Sequence, residues 1–129
     1  MSEALPLQPI RVLIVDDHEL FTHALTSTLS QDERFEVVGT AATGRDAVRA
    51  AKSAAVDVVL MDMSMPKLDG LAATRRLLTL EPPPRVIVLS GHTDKLSQAA
   101  ALESGASVFL SKSEPFETLT ETIVGVCAR

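Results

Sequence analysis

The groups in this chain that could do chemistry are set by position. Asp16 and Asp17 directly follow the apolar run Arg11–Val15 (RVLIV), and Asp62 directly follows Val56–Met61 (VDVVLM). Ser90 closes Arg85–Leu89 (RVIVL), and Lys112 stands at the end of Ser107–Leu110 (SVFL). Taken singly, each has an ordinary explanation. An Asp after a strand is commonly a turn or cap residue, Ser90 reads as a capping hydroxyl before Gly91-His92-Thr93-Asp94, and Lys112 as a solvated loop lysine. Brought together they would be something else. Two carboxylates 4 Å apart repel by about 4 kcal/mol at an effective dielectric near 20, so a cluster needs a hard cation or a buried ammonium. Mg²⁺ suits such donors, because it takes oxygen ligands, keeps several waters and is held by one or two carboxylates plus phosphate oxygens. Lys112 can add a compact positive charge from the opposite side.

Whether these groups meet depends on the elements that carry them. The β-branched runs above, with Phe35–Thr40 (FEVVGT), alternate with segments of helical period at Leu20–Leu29, Arg45–Ser53, Leu71–Leu80, Asp94–Ser104 and Phe116–Cys127. In the first of these, Phe21, Ala24, Leu25 and Leu29 recur three to four residues apart, which predicts an amphipathic helix. Short apolar runs without alternation suit strands buried on both faces. Five strands alternating with five helices predict a parallel, doubly wound α/β sheet of right-handed βαβ units. Pro82-Pro83-Pro84 ends the third helix, Gly105 suits a helix stop, and Pro115 fits the first turn of the last helix. In such a sheet ligands bind beyond the carboxyl ends of the strands where the order reverses. With order 2-1-3-4-5 and three layers, strands 1 and 3 flank that point, so four of the five strands end in a carboxylate, hydroxyl or ammonium on one edge.

Composition narrows the class. A chain of 129 residues suits one domain, here residues 10–129 after a loose arm at 1–9. With four Phe and no Trp or Tyr, the core must be aliphatic. A net charge of −5 and no basic run longer than Arg75-Arg76 make this segment a poor duplex binder. The single Cys127 fits a reducing, cytoplasmic setting. No stretch has the length of a membrane span or the pattern of a signal peptide.

The ordered set Asp16-Asp17, Asp62, Ser90 and Lys112, with Met65-Pro66-Lys67-Leu68-Asp69-Gly70 after the third acid, resembles the signature of response-regulator receiver domains. The likeness covers about residues 10–127. It implies a flavodoxin-like (βα)5 fold and a phosphorylation switch in two-component signalling rather than a turnover enzyme, with Asp62 accepting a phosphoryl group from a sensor histidine kinase. It further implies Mg²⁺ held by the side chains of Asp17 and Asp62, by Asp16 directly or through water, and by the backbone carbonyl of Ser64. Ser90 would hydrogen-bond the phosphoryl group, Lys112 would pair with it, and Phe109 would be the switch aromatic reshaping the fourth helix, fifth strand and fifth helix. Asp16-Asp17-His18-Glu19-Leu20-Phe21 and Leu89-Ser90-Gly91-His92 are similar to the NarL/FixJ (LuxR-type) group. Those regulators of transcription usually carry a helix-turn-helix output domain after the receiver. This chain stops at Arg129, so contact with DNA is expected only through a domain outside it, with homodimerisation on activation as a possible accompaniment. Two departures are a Ser113 where many receivers have Pro after the lysine, and Phe rather than Tyr at 109.

Other readings fit less well. A haloacid-dehalogenase-type hydrolase carries its nucleophile after the first strand in an Asp-x-Asp pattern, whereas Asp62-Met63-Ser64 follows the third and lacks the second Asp. Gly39-Thr40-Ala41-Ala42-Thr43-Gly44 has the glycine spacing of a P-loop, but Arg45-Asp46 replaces the required Lys-Ser/Thr. Thr43 reads instead as a helix cap, with Asp46 completing a weak box. A stand-alone receiver or a phosphorylation-independent interaction module is the remaining alternative, which the complete residue set argues against. His18, His23 and His92 lack ligand spacing, so a zinc site is not expected. Met61, Met63 and Met65 read as packing beneath the acid.

Overall fold

The computed structural model describes residues 8–63 and 70–128. Ser64, Met65 and the rest of the segment through Asp69 lie outside the described residues, as does most of the expected arm.

The chain alternates strictly: β1 (Ile10–Val15), α1 (Glu19–Ser30), β2 (Phe35–Ala41), α2 (Gly44–Ser53), β3 (Val58–Asp62), α3 (Gly70–Leu77), β4 (Arg85–Ser90), α4 (Lys95–Glu103), β5 (Val108–Ser111) and α5 (Phe116–Cys127). All four strand pairings are parallel, in the order β2-β1-β3-β4-β5. This is the doubly wound, flavodoxin-like arrangement.

Why the central strands lack alternation is plain from burial. Every residue of β3 is buried, as are the last four of β1 and the last five of β4. Successive side chains enter opposite layers. Leu13, Val15, Val59, Met61, Val86 and Val88 face α2, α3 and α4, which contribute Ala47, Val48, Ala73, Leu77 and Ala101. Val12, Ile14, Val58, Leu60, Ile87 and Leu89 face α1 and α5, which contribute Leu25, Leu29, Leu119, Ile123 and Val126. Fully burying one such aliphatic side chain is worth about 1.5–3 kcal/mol, so polar substitution on either face of β3 would be severe.

Several boundaries differ from the sequence expectation for local reasons. α3 ends at Leu77, not Leu80: Thr79 and Leu80 donate to Arg76 and Leu77, three residues back, a tightening that ends helices, and the prolines follow. β3 starts at Val58 because Asp57 ties down the entry, its carboxylate accepting from the Arg11 N–H at 2.9 Å. Ala24 is exposed, so the inward stripe of α1 is half-buried Phe21 with buried Leu25 and Leu29. Thr43 does cap α2, accepting from Asp46 N at 3.1 Å. Gly105 follows α4 with φ 107°, the left-handed backbone that glycine adopts without penalty. Pro115 stands one residue before α5, at its cap.

Candidate functional site

β1 and β3 are hydrogen-bonded neighbours whose register pairs Val15 with Met61. Adjacent strands lie about 5 Å apart, so Asp16, one residue past β1, must emerge beside Asp62. Asp62 is the last residue of β3 rather than the one after it. Both are buried, Asp62 to 0 % and Asp16 to 5 % residual exposure, whereas Asp17 faces solvent. Asp16 also bends the chain. Its Oδ1 accepts from the backbone N–H of His18 at 2.9 Å, a turn in which an Asp side chain bonds two residues on.

That turn sets the His18 Nδ1 against the acids while most of the ring stays exposed. Its Nδ1 lies 2.9 Å from Asp16 Oδ1, 3.4 Å from Asp17 Oδ1 and 3.8 Å from Asp62 Oδ2. Sequence reasoning had set His18 aside. The signal that could have found it is the Asp-x-His spacing of this turn, which returns the ring to its own carboxylate.

Lys112 arrives from the other side, one residue past β5. Its backbone N–H donates to Ser90 O at 2.8 Å, which locks it to the end of β4. Its Nζ lies 2.7 Å from Asp16 Oδ2 and 3.3 Å from Asp62 Oδ1. Burial by itself pushes the Asp16 carboxyl up, but the Lys112 ammonium and the backbone and ring of His18 outweigh it and hold the group below the usual carboxylate range.

Ser90 ends β4 and is buried; its hydroxyl accepts from His92 N at 2.9 Å. It does not cap the next helix. Asp94 does, accepting from Ser97 N at 2.9 Å. Phe109, half-buried, sits opposite Val88 in the β4–β5 register and packs on the layer of Met61 and Ala101. Ser64, expected to offer its carbonyl, lies outside the described residues. The loop after Lys112 is a serine turn, with Ser111 Oγ accepting from Ser113 N at 3.1 Å and meeting Ser113 Oγ at 2.7 Å.

Asp16, Asp17, His18 and Asp62 each offer one ligand atom, all within 4.8 Å of one another. Among the described residues, three carboxylates, two of them buried, share a single ammonium. That excess of negative charge, with mostly oxygen donors, fits a hard divalent cation. Among the described residues no helix is long and apolar enough to cross a membrane.

Comparison with known proteins identifies the family and the fold. The response regulator receiver domain family matches residues 12–124. Response regulator UvrY of Escherichia coli K12 is 44 % identical over 103 residues, 80 % of this chain and 47 % of UvrY, so the chain spans about half that relative. The signal receiver domain of the putative regulator NarL from Mycobacterium tuberculosis superposes with a TM-score of 0.89 at 30 % identity, covering 94 % of this chain and 98 % of that one. A Burkholderia pseudomallei response regulator, solved with a phosphorylated aspartic acid, calcium ion and citrate, gives 0.78 at 25 % identity over 86 % of this chain and 64 % of that one. By the family match over residues 12–124, the shared sheet order and these relatives, the chain belongs to the response-regulator receiver family of two-component systems, in its NarL/FixJ (LuxR-type) group.

Proposed function

We propose that this receiver accepts a phosphoryl group from a sensor histidine kinase on the Asp62 carboxylate, with Mg²⁺ held by Asp17, Asp62, the Ser64 carbonyl and Asp16, directly or through water. An Asp62 oxygen attacks phosphorus, an O–P bond forms, the donor's P–N bond breaks, and the electron pair stays on the leaving imidazole nitrogen. Such transfer is mostly positioning and charge stabilisation. Bound Mg²⁺ would supply positive charge against the acceptor and phosphoryl oxygens. Lys112 holds an ammonium beside the attacking carboxylate and takes up charge on the incoming oxygens. The Ser90 hydroxyl, accepting from His92, keeps its own proton to donate to the phosphoryl group. Hydrolysis of the resulting acyl phosphate resets the switch.

The output follows from what anchors α4. Ala101 is its single buried residue, so little packing opposes a shift of that helix. Drawing Ser90 toward the phosphoryl group makes room for Phe109 to turn inward, and the surface of α4, β5 and α5 changes with it. Residues 10–129 form the receiver after an arm at 1–9. In the cytoplasm, activation pairs two copies and acts on transcription through a further domain, in keeping with relatives about twice as long.

The observation supporting this most is the Lys112 ammonium poised between buried Asp16 and Asp62. Incubation with acetyl phosphate and Mg²⁺ tests the proposal. The wild-type protein gains the mass of one phosphoryl group, and Asp62→Asn or chelation of Mg²⁺ prevents it. Full labelling of Asp62→Asn would refute the assignment.

A further inference from the structure

The stem of Lys112 is a flexible four-carbon chain. Of the two carboxylates beside its head, Asp16 at 2.7 Å keeps its charge in the reaction and Asp62 at 3.3 Å does not, and His18 Nδ1 lies 3.3 Å from the same ammonium. A further contact, one the reaction leaves unchanged, lies beneath it. The Lys112 Nζ stands 4.7 Å from the centroid of the Phe21 ring, over its face, within the range of a cation–π contact. Phe21, half-buried, is the tip of the inward stripe on α1, one helical turn before buried Leu25. It is itself fixed by Phe116, the first residue of α5, at a centroid separation of 5.9 Å and an interplanar angle of 79°, the edge-to-face geometry aromatic pairs favour. The cavity among Phe21, Leu89, Lys112 and Phe116 is about 10 Å³, at the lower limit for a single water. Solvent therefore has little room to replace the ring beneath the lysine.

We propose that Phe21 is a positioning residue for phosphoryl transfer: its ring, braced by Phe116, holds the Lys112 ammonium at the crevice formed by Asp16 and Asp62. The inference rests on Asp62 being the phosphoryl acceptor. When Asp62 becomes an acyl phosphate, its attraction for Lys112 changes, whereas the negative face of the ring does not. Phe21 thus keeps the ammonium in place from the free acid through to the phosphorylated state. The cradle is assembled from α1, α5 and the end of β5, three elements that meet only in the folded chain. Nothing in the acid–hydroxyl–lysine set itself calls for an aromatic at this position.

The test compares Phe21→Leu, which keeps an apolar side chain but removes the π face, with Phe21→Tyr, which keeps it. Labelling by acetyl phosphate is followed at saturating Mg²⁺. The maximal rate falls roughly threefold to tenfold in Phe21→Leu, with the half-saturating donor concentration unchanged, and stays within twofold of wild type in Phe21→Tyr. In parallel, the ring current of Phe21 shifts the Lys112 ε-methylene proton resonances upfield. That shift is lost in Phe21→Leu and retained in Phe21→Tyr. Wild-type rates in Phe21→Leu, or an equal loss in both variants, would overturn the proposal. Failure of wild-type protein to label at Asp62 would instead sink the reading beneath it, and the methylene shift would still report whether the ring holds the lysine.

Discussion

Replacing Asp62 by Asn removes one charge from a crowded cluster, and the distances say which way stability moves. The Asp62 ligand oxygen lies within 4.8 Å of those of Asp16 and Asp17. At an effective dielectric near 20 each repulsion is therefore at least about 3.5 kcal/mol. Against them stands Lys112, whose Nζ at 3.3 Å attracts Asp62 by about 5 kcal/mol on the same scale. Among these described charges the two repulsions exceed the attraction by about 2 kcal/mol, and the burial of the Asp62 charge works in the same direction. Asp17 is 32 % exposed, so solvent screens its share, and a net gain of roughly 1–2 kcal/mol is expected for Asn in the absence of metal. For a domain of this size that raises the melting temperature by about 4–8 °C. Calorimetry in EDTA and then in millimolar MgCl₂ reads both halves of the argument. The variant melts higher in EDTA. Mg²⁺ narrows the difference, because the ion stabilises the protein that retains all its ligands. A variant no more stable than wild type in EDTA, or a difference that widens with Mg²⁺, would show that the repulsion argument is wrong.

Three further outcomes follow from local geometry. Gly70 opens α3 against the end of β3; a Cβ there would lie 2.5 Å from the Asp62 carbonyl oxygen and 2.9 Å from Met61 Cγ. Gly70→Ala should cost about 1–3 kcal/mol, read as a lower urea midpoint, together with slower labelling. The Arg34 guanidinium, 2.7 Å away, holds Asp32 below the usual carboxylate range. A carboxyl depressed in the folded state contributes stability above its unfolded value near 3.9 and loses it as pH falls through the folded value. Asp32→Asn therefore costs about 0.5 kcal/mol at pH 7 for this surface pair, and the cost shrinks progressively as pH falls below about 3.9, as paired urea titrations would show. Burial pushes the Cys127 thiol above its ordinary 9.0, with Asp57 adding to the rise. Alkylation by iodoacetamide should be slow at neutral pH and accelerate only well above pH 9.

The strands were legible in the sequence because burial on both faces leaves an unmistakable signature of consecutive Val, Ile and Leu. The edge that gathers the acids followed from parallel topology alone. What could not be read were contacts made by side chains leaving their own element. Phe21 scores as one more apolar residue on a helical stripe, yet its ring lies under Lys112, ninety-one positions away in the chain. His18 carries no spacing to another histidine, but its own Asp16 turns it into the crevice. The end of α3 was misplaced because Leu78 and Leu80 continue an apolar pattern after the backbone has stopped being helical. Half-buried leucines in a turn look the same as leucines in a helix. Ser90 was open to two readings, and only the placement of Asp94 as the cap of α4 separates them.

The central claim is that a phosphoryl group lands on the carboxylate ending β3. Borohydride reduction of the protein labelled with acetyl phosphate and Mg²⁺ converts an aspartyl phosphate to homoserine, and peptide mass spectrometry then locates it. Conversion of Asp62 alone is the expected result. Homoserine at Asp16 or Asp17 with Asp62 untouched, or a label carried on His18, would contradict the account.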